Sequence, residues 1–131
     1  AETLHLAMAE DNRPYVVTMH FGYRDGLLYL HSSYKGKKAA ILQANPRVAF
    51  CAESRVRLVP ADTACKWGAS YRSVAGTGTA RFLETEADKL AGLQALMDHY
   101  TDQPHPIAPL TASKTAVIAV EVEEMACQWK E

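Results

Sequence analysis

Cysteine is scarce in this chain: Cys51, Cys65 and Cys127 are the only 3. Their odd number and wide spacing build neither a disulfide framework nor a CxxC metal motif. Free thiols in a reducing, cytoplasmic compartment are therefore expected. No apolar run approaches the roughly 20 residues a membrane span needs, and the opening residues do not read as a signal peptide. Neither sign of charge dominates. Lys and Arg number 14 against 15 Asp and Glu, a net −1, so no global field draws the chain to nucleic acid or to a membrane. Repeats, low-complexity tracts and linkers are lacking too. What remains is 131 residues, 48% of them hydrophobic. That fits a single domain over residues 1–131, able to bury about two thirds of its extended surface. The start at Ala1–Glu2 falls almost inside a strand-like segment, and a native N-terminal segment is expected before it.

Apolar and alternating runs predict six strands. Leu4–Ala9 is the first, followed by a turn at Glu10–Arg13. Tyr15–Tyr23 (YVVTMHFGY) alternates, with Tyr15, Val17, Met19, Phe21 and Tyr23 on one face and Val16, Thr18, His20 and Gly22 on the other. Asp25–Gly26 is a two-residue hairpin signal, and Leu27–His31 is the returning strand. With those two residues as the loop, Arg24 faces Leu27, Phe21 faces Leu30, and His20 stands beside His31. Arg47–Ala52, Tyr71–Leu83 and Thr115–Trp129 complete the set, with Ser54–Ser70 read as irregular. A short helix is expected over Gly36–Ala44, capped by Ser32 or Ser33 and stopped at Asn45–Pro46. A second helix follows the capping box Thr85–Asp88, with Leu90, Leu93, Leu96, Met97 and Tyr100 as a core-facing stripe. Hairpins and short turns link most strands. The class is therefore mostly β, an antiparallel sheet closing into a small barrel with two or three flanking helices.

The stretch Leu28–Leu42, LYLHSSYKGKKAAIL, carries the chemistry. A strand ends, His31, Ser32 and Ser33 follow, and Lys35, Lys37 and Lys38 surround Gly36 at a helix start. A helix N-terminus offers unpaired N–H groups and partial positive charge. Gly36 lets backbone approach a ligand, and the lysines add mobile cations. Together these suit a terminal phosphate. The Walker A pattern, with an upstream glycine and Ser or Thr after the lysine, is not met. A flat heteroaromatic ring lying along Val17–Met19 would extend the same ligand, so the corner predicts a phosphorylated cofactor with a planar head.

RPYVV at 13–17, LYLHS at 28–32, GKK at 36–38, NPRV at 45–48 and YRSVAGTG at 71–78 together resemble the FMN-binding split-barrel proteins. The likeness is to the pyridoxamine 5′-phosphate oxidase-related branch and its nitroimidazole-resistance (Nim) group. The resemblance implies a six-stranded antiparallel split β-barrel, a homodimer, and FMN held at the interface by both chains. It implies that Val17, Thr18, Met19 and His20 line the isoalloxazine ring. His31 and Ser32 would meet the ribityl–phosphate tail, and Lys37 and Lys38 would hold the phosphate. Tyr71, Arg72, Ser73 and Trp129 are further cofactor-binding candidates by the same resemblance, and His31 is the catalytic candidate. The oxidase itself differs. GKK stands where it has an arginine–lysine pair, and its C-terminal substrate segment is not evident, which argues against pyridoxamine phosphate oxidation.

The implied function is a flavin-dependent oxidoreductase reducing small electron-poor substrates such as nitroaromatics, with the cofactor supplying the redox chemistry. A flavin- or haem-binding carrier or sensor, favoured by the histidine pair, is the alternative. A ligand-free interaction domain is a third reading. His5, His99 and His105 read as structural or exposed. His99 and His105 lack a third ligand for a metal, so no metal is expected. Cys51 reads as core, and Glu121, Glu123 and Glu124 read as an exposed strand face.

Overall fold

The computed structural model describes residues 1–130, apart from the Leu110 side chain. The described residues form seven strands and three helices: β1 (Leu4–Glu10), β2 (Arg13–Met19), β3 (Gly22–Arg24), β4 (Leu27–Ser32), α1 (Lys37–Ala44), β5 (Arg47–Val59), β6 (Gly68–Phe82), α2 (Glu86–Tyr100), α3 (Pro109–Lys114) and β7 (Ala116–Lys130). They make one sheet in the order β2-β1-β5-β6-β7-β4-β3, with every neighbouring pair antiparallel.

β2 and β3 are the two edges of that sheet, yet only His20 and Phe21 separate them in the chain. The three Cα steps from Met19 to Gly22 span at most about 11 Å. The sheet must therefore curl until its edges meet at this corner. No ladder joins the two edge strands, so the barrel is split rather than closed.

The second expected strand thus becomes two. Tyr15–Tyr23 alternates as a strand should, but the chain leaves the sheet at His20–Phe21. The Phe21 N–H donates to the Tyr100 hydroxyl (3.0 Å), not to a neighbouring strand. Gly22 lies against α2 so closely that a Cβ there would stand 2.5 Å from the Ala95 carbonyl oxygen. Only glycine allows the helix to press on the corner in this way.

The hairpin that follows has the expected register, with Arg24 opposite Leu27 and Gly22 opposite Tyr29. Asp25 (φ 53°) and Gly26 (φ 81°) both have positive φ, as a type I′ turn requires. Inward residues of the strands fill the barrel. Leu6, Leu30, Ile118 and Val120 are fully buried, joined by Leu4, Met8, Met19, Phe21 and Phe50. α2 covers the outer side, where Leu83, Val117 and Ala119 pack with Tyr29 and Leu93. The Thr85 hydroxyl accepts from the Asp88 N–H at 3.1 Å and caps α2 as expected.

Three expectations fail locally. Ser54–Ser70 is largely regular: β5 runs to Val59 and β6 starts at Gly68, with a turn of 3-10 helix at Ala64–Lys66 between them. Charged and proline-flanked sequence hid a ribbon whose β-branched residues pair without burial. Neither Ser32 nor Ser33 caps α1. Gly36 (φ 112°) is its N-cap and no side chain caps it, while Ser33 instead accepts from the Lys35 N–H within the loop. Cys51 is exposed, not core, because it faces outward between the buried Phe50 and Ala52. Among the described residues no helix is long and apolar enough to cross a membrane.

Candidate functional site

The corner where the barrel edges meet is also where the strand-to-helix cations arrive. Lys37 places its ammonium 4.6 Å from the centre of the Tyr15 ring on β2. Lys38, the next residue, is close enough to His31 at the end of β4 to depress its pKa. The helix start therefore stands between β2 and β4. The loop leading into it is tied down from α2. Lys89, the sole buried charged side chain among the described residues, donates to the Tyr34 hydroxyl at 2.7 Å. Nothing lies within 4 Å of where a Gly36 Cβ would be, so the backbone entering α1 is open to a ligand.

His20 and His31 line one cleft of about 650 Å³, with Leu96, Met97, His99 and Tyr100 of α2 on its far wall. The two histidines share it without strand pairing: the β3–β4 ladder ends at Gly22 opposite Tyr29, so the expected Phe21–Leu30 and His20–His31 pairs are not part of the sheet. The His31 pKa lies below its ordinary 6.5, chiefly through desolvation, then through His20 and Lys38. Desolvation also lowers the Lys38 pKa. Both shifts mark a place where positive charge is crowded and imperfectly hydrated. An anion placed there would relieve both.

β2, an edge strand, supplies the neighbouring surface. Val17 packs against the core and Met19 belongs to it, so these two can meet a ligand only through their main chain. Val16 and Thr18 point outward. As an edge, β2 has main-chain groups that no strand pairs, and these suit the polar rim of a flat ring. Thr18 is part of a chain of polar contacts that sequence reading missed. Its hydroxyl lies 3.3 Å from His5 Nδ1, and His5 Nε2 lies 3.2 Å from Glu53 Oε1. The three residues are far apart in sequence. They meet because His5 pairs with Thr18 on one side and Cys51 on the other, which was visible only once the strand order was known. The carboxylate requires the Nε2 proton on neutral His5, so Nδ1 accepts from Thr18.

Ser32 ends β4, next to His31. Tyr71, Arg72, Ser73 and Trp129 lie elsewhere, on β6 and β7. Arg72 and Trp129 are cross-strand partners, with the guanidinium 4.1 Å from the indole ring. One cleft takes this pair together with Ser73 and with Phe21 of the corner, while His31 lines another with His20. His99 packs on Phe21 and Tyr100 and bonds the Ala1 carbonyl oxygen. Among the described residues no group of three His, Cys, Asp or Glu could hold a metal. Glu121, Glu123 and Glu124 are exposed.

An antiparallel barrel split at one corner, with a lysine-flanked helix start and a histidine pair set into the split, defines a split-barrel protein of the oxidase-related type. The match to known families agrees with this geometry: residues 1–129 match the pyridoxamine 5′-phosphate oxidase family, and the chain belongs to it. Among solved structures, a Bacteroides thetaiotaomicron protein assigned to 5-nitroimidazole antibiotic resistance superposes with a TM-score of 0.85 at 29% identity, over 97% of this chain and 76% of that one. The FAD and heme binding protein of Mycobacterium smegmatis gives 0.85 at 19% identity, over 99% and 66%. The flavocytochrome Anf3 of Azotobacter vinelandii gives 0.83 at 21%, over 100% and 63%. The last two likenesses show the fold alone, and this chain spans about two thirds of each. No curated protein matches the chain.

Proposed function

We propose that the chain binds FMN at the split corner and acts as a flavin-dependent reductase of small electron-poor substrates such as nitroaromatics. The observation that carries this reading is the start of α1, with the Lys37 ammonium over Tyr15 of β2 and Lys38 near enough to His31 to lower its pKa. It gives one end of an elongated ligand a cationic, backbone-rich seat and leaves a strand edge and a cleft for the rest. The donor set fits the group: two ammoniums and open helix N–H groups for a phosphate, hydroxyls for a polyol chain, unpaired strand main chain for a ring.

Lys37 and Lys38 would anchor the phosphate, and Ser32 would bond the polyol. Thr18 and the β2 main chain would orient the ring. The flavin, when bound, supplies the hydride or electron transfer. His31, whose pKa is lowered chiefly by desolvation, would hold a substrate oxygen through a hydrogen bond from its ring N–H, or hand it a proton when the ring is protonated. The match to a nitroimidazole-resistance protein supports the substrate class.

A homodimer is part of the proposal. Beyond Glu53 on β5 and Val122 on β7, the β5–β6–β7 ribbon leaves Val56, Leu58, Met125 and Trp129 exposed, an apolar surface that a second copy would cover. Tyr71, Arg72, Ser73 and Trp129, on the same ribbon, would meet the ring held by that second copy. Three free thiols accord with a reducing cytoplasm.

The test is the absorption spectrum of freshly purified protein, with mass identification of the released ligand. Two flavin bands and an FMN mass are expected, together with turnover of a nitroaromatic. A colourless protein that ignores added FMN would remove the proposal. The second reading, a haem- or flavin-binding carrier, is favoured by the two histidines sharing one roomy cleft. A Soret band without nitroaromatic turnover would select it.

A further inference from the structure

We infer that Lys89, acting through Tyr34, is a positioning residue for the anion seat at the start of α1. The inference rests on the phosphate reading of that corner and adds to it a residue from α2. Lys89 is 4% exposed, the sole buried charged side chain among the described residues. It lies on the face of α2 that buries Gly92, Ala95 and Leu96, where helical periodicity asks for an apolar side chain. The side-chain ion pairs among the described residues are His5–Glu53 and Arg24–Asp98, so none of these carboxylates pairs with it. Its own N–H closes the first turn of α2 on the Thr85 carbonyl oxygen. That is the positive end of the helix, which offers a cation no attraction. Fold stability alone therefore does not account for an ammonium at this position.

What the ammonium holds is a loop. Its Nζ donates to Tyr34 Oη at 2.7 Å and stands 5.0 Å from the centre of the same ring, although Tyr34 as a whole is 45% exposed. Tyr34 belongs to the segment between β4 and α1. Two Cα steps, at most about 7 Å, take the chain from it to Gly36. Few other contacts fix that segment. Ser33 Oγ accepts from the Lys35 N–H, no side chain caps α1, and α1 packs chiefly on β1. An ammonium has three donors and no acceptor, so the hydroxyl that accepts from it keeps its own proton for a further acceptor.

These contacts couple the buried charge to the seat. An anion at the α1 start would meet a loop already held in shape, and it would bring the negative charge that Lys89 lacks, across an interior that screens charge less than water does. Neither Lys89 nor Tyr34 lines the cleft of His20 and His31. Their effect is therefore confined to ligands that carry a phosphate.

FMN and riboflavin share ring and polyol and differ by the phosphate, so the ratio of their affinities, read by flavin fluorescence titration, reports on the seat. The parent should bind FMN at least tenfold tighter than riboflavin. Lys89→Met, which keeps the aliphatic stem, should weaken FMN at least tenfold and leave riboflavin within twofold. Tyr34→Phe keeps both the ring and Lys89, and it reads the same link should the methionine variant fail to fold. It should weaken FMN at least threefold, again with riboflavin within twofold. Together the two substitutions should cost FMN no more than about twice the larger single loss, as members of one contact do. In the ligand-free protein either substitution should lower the backbone amide order parameters of Tyr34–Lys37 from about 0.85 toward about 0.6, with those around Ile118 unchanged. The inference is overturned if both variants keep the parental ratio of FMN to riboflavin affinity, or if riboflavin falls as far as FMN, which is support of the fold only. It is also overturned if the two losses multiply, or if the loop stays as rigid as in the parent. A parent that does not prefer FMN removes the phosphate reading itself and this inference with it, whereas a parental preference that both variants retain removes this inference alone.

Discussion

The two halves of β7 have opposite surroundings. Ala116 to Val120 are all at 0% exposure, with Ile118 and Val120 in the barrel and Val117 and Ala119 under α2. From Glu121 onward every described residue except Val122 is exposed, and Met125 and Trp129 stand among the large apolar side chains left in solvent. One strand thus serves as a two-sided core wall and then as a largely exposed ribbon. Stability resides in the first half, and recognition is left to the second. The split corner sits at the core end, where His31 pairs with Val117 and α2 packs against Gly22.

The largest expected effect tests that division directly. Ile118→Ala should lower unfolding free energy by roughly 2–5 kcal/mol, the cost of a cavity in a packed core. Met125→Ala should change it by less than about 0.5 kcal/mol in the monomer, yet weaken self-association at micromolar concentration. Denaturant unfolding and sedimentation separate the two. Equal destabilisation by both substitutions would erase the distinction between the halves.

Next in size is the corner. A charge-assisted hydrogen bond contributes roughly 1.5–3 kcal/mol, so Lys37→Ala with Lys38→Ala should weaken FMN by about two orders of magnitude or more. The Tm of the ligand-free protein should barely move. Flavin retained at parental affinity would mean that the phosphate is held elsewhere.

The sequence made this corner legible because its signals are local. Hairpin register, a glycine among lysines and the stop at Asn45–Pro46 lie within a few residues of one another. Strand alternation likewise showed most of the barrel. The break at His20–Phe21 was hidden, since its causes are Tyr100 and Ala95, about 75 residues downstream. The His5–Thr18–Glu53 contacts and the β5–β6 register shift between Ser54 and Arg57 were hidden for the same reason: both depend on which strands become neighbours. The ribbon was misread because strands without a buried face carry no hydrophobic alternation.

A smaller effect concerns pH. Because the folded pKa of His31 lies below 6.5, the unfolded chain binds more protons than the native one between the two values. Native stability should therefore fall as pH drops through that window and, for this group, be level well above it. His31→Gln should flatten that part of the profile. Bound phosphate should draw a proton back onto His31, so the NMR titration of the His31 ring should move to higher pH on FMN binding. A His31 titration that moves to lower pH instead would contradict the anion assignment.

The smallest effect opposes stability to binding at a single side chain. Desolvation lowers the Lys38 pKa, so at neutral pH its charge is carried at a cost in the native state that is relieved only as pH rises toward 10.5. Lys38 is half-open to solvent and screening keeps this cost small. Lys38→Met keeps the aliphatic stem and removes the charge. It should raise the Tm of the ligand-free protein slightly, and the gain should shrink at alkaline pH as the parent loses its own proton. The same substitution should weaken FMN. A residue serving only to cover the helix start would show neither the pH-dependent gain nor the lost affinity. A cation kept for an anion shows both, and with FMN at saturation the parent should overtake the variant in thermal stability.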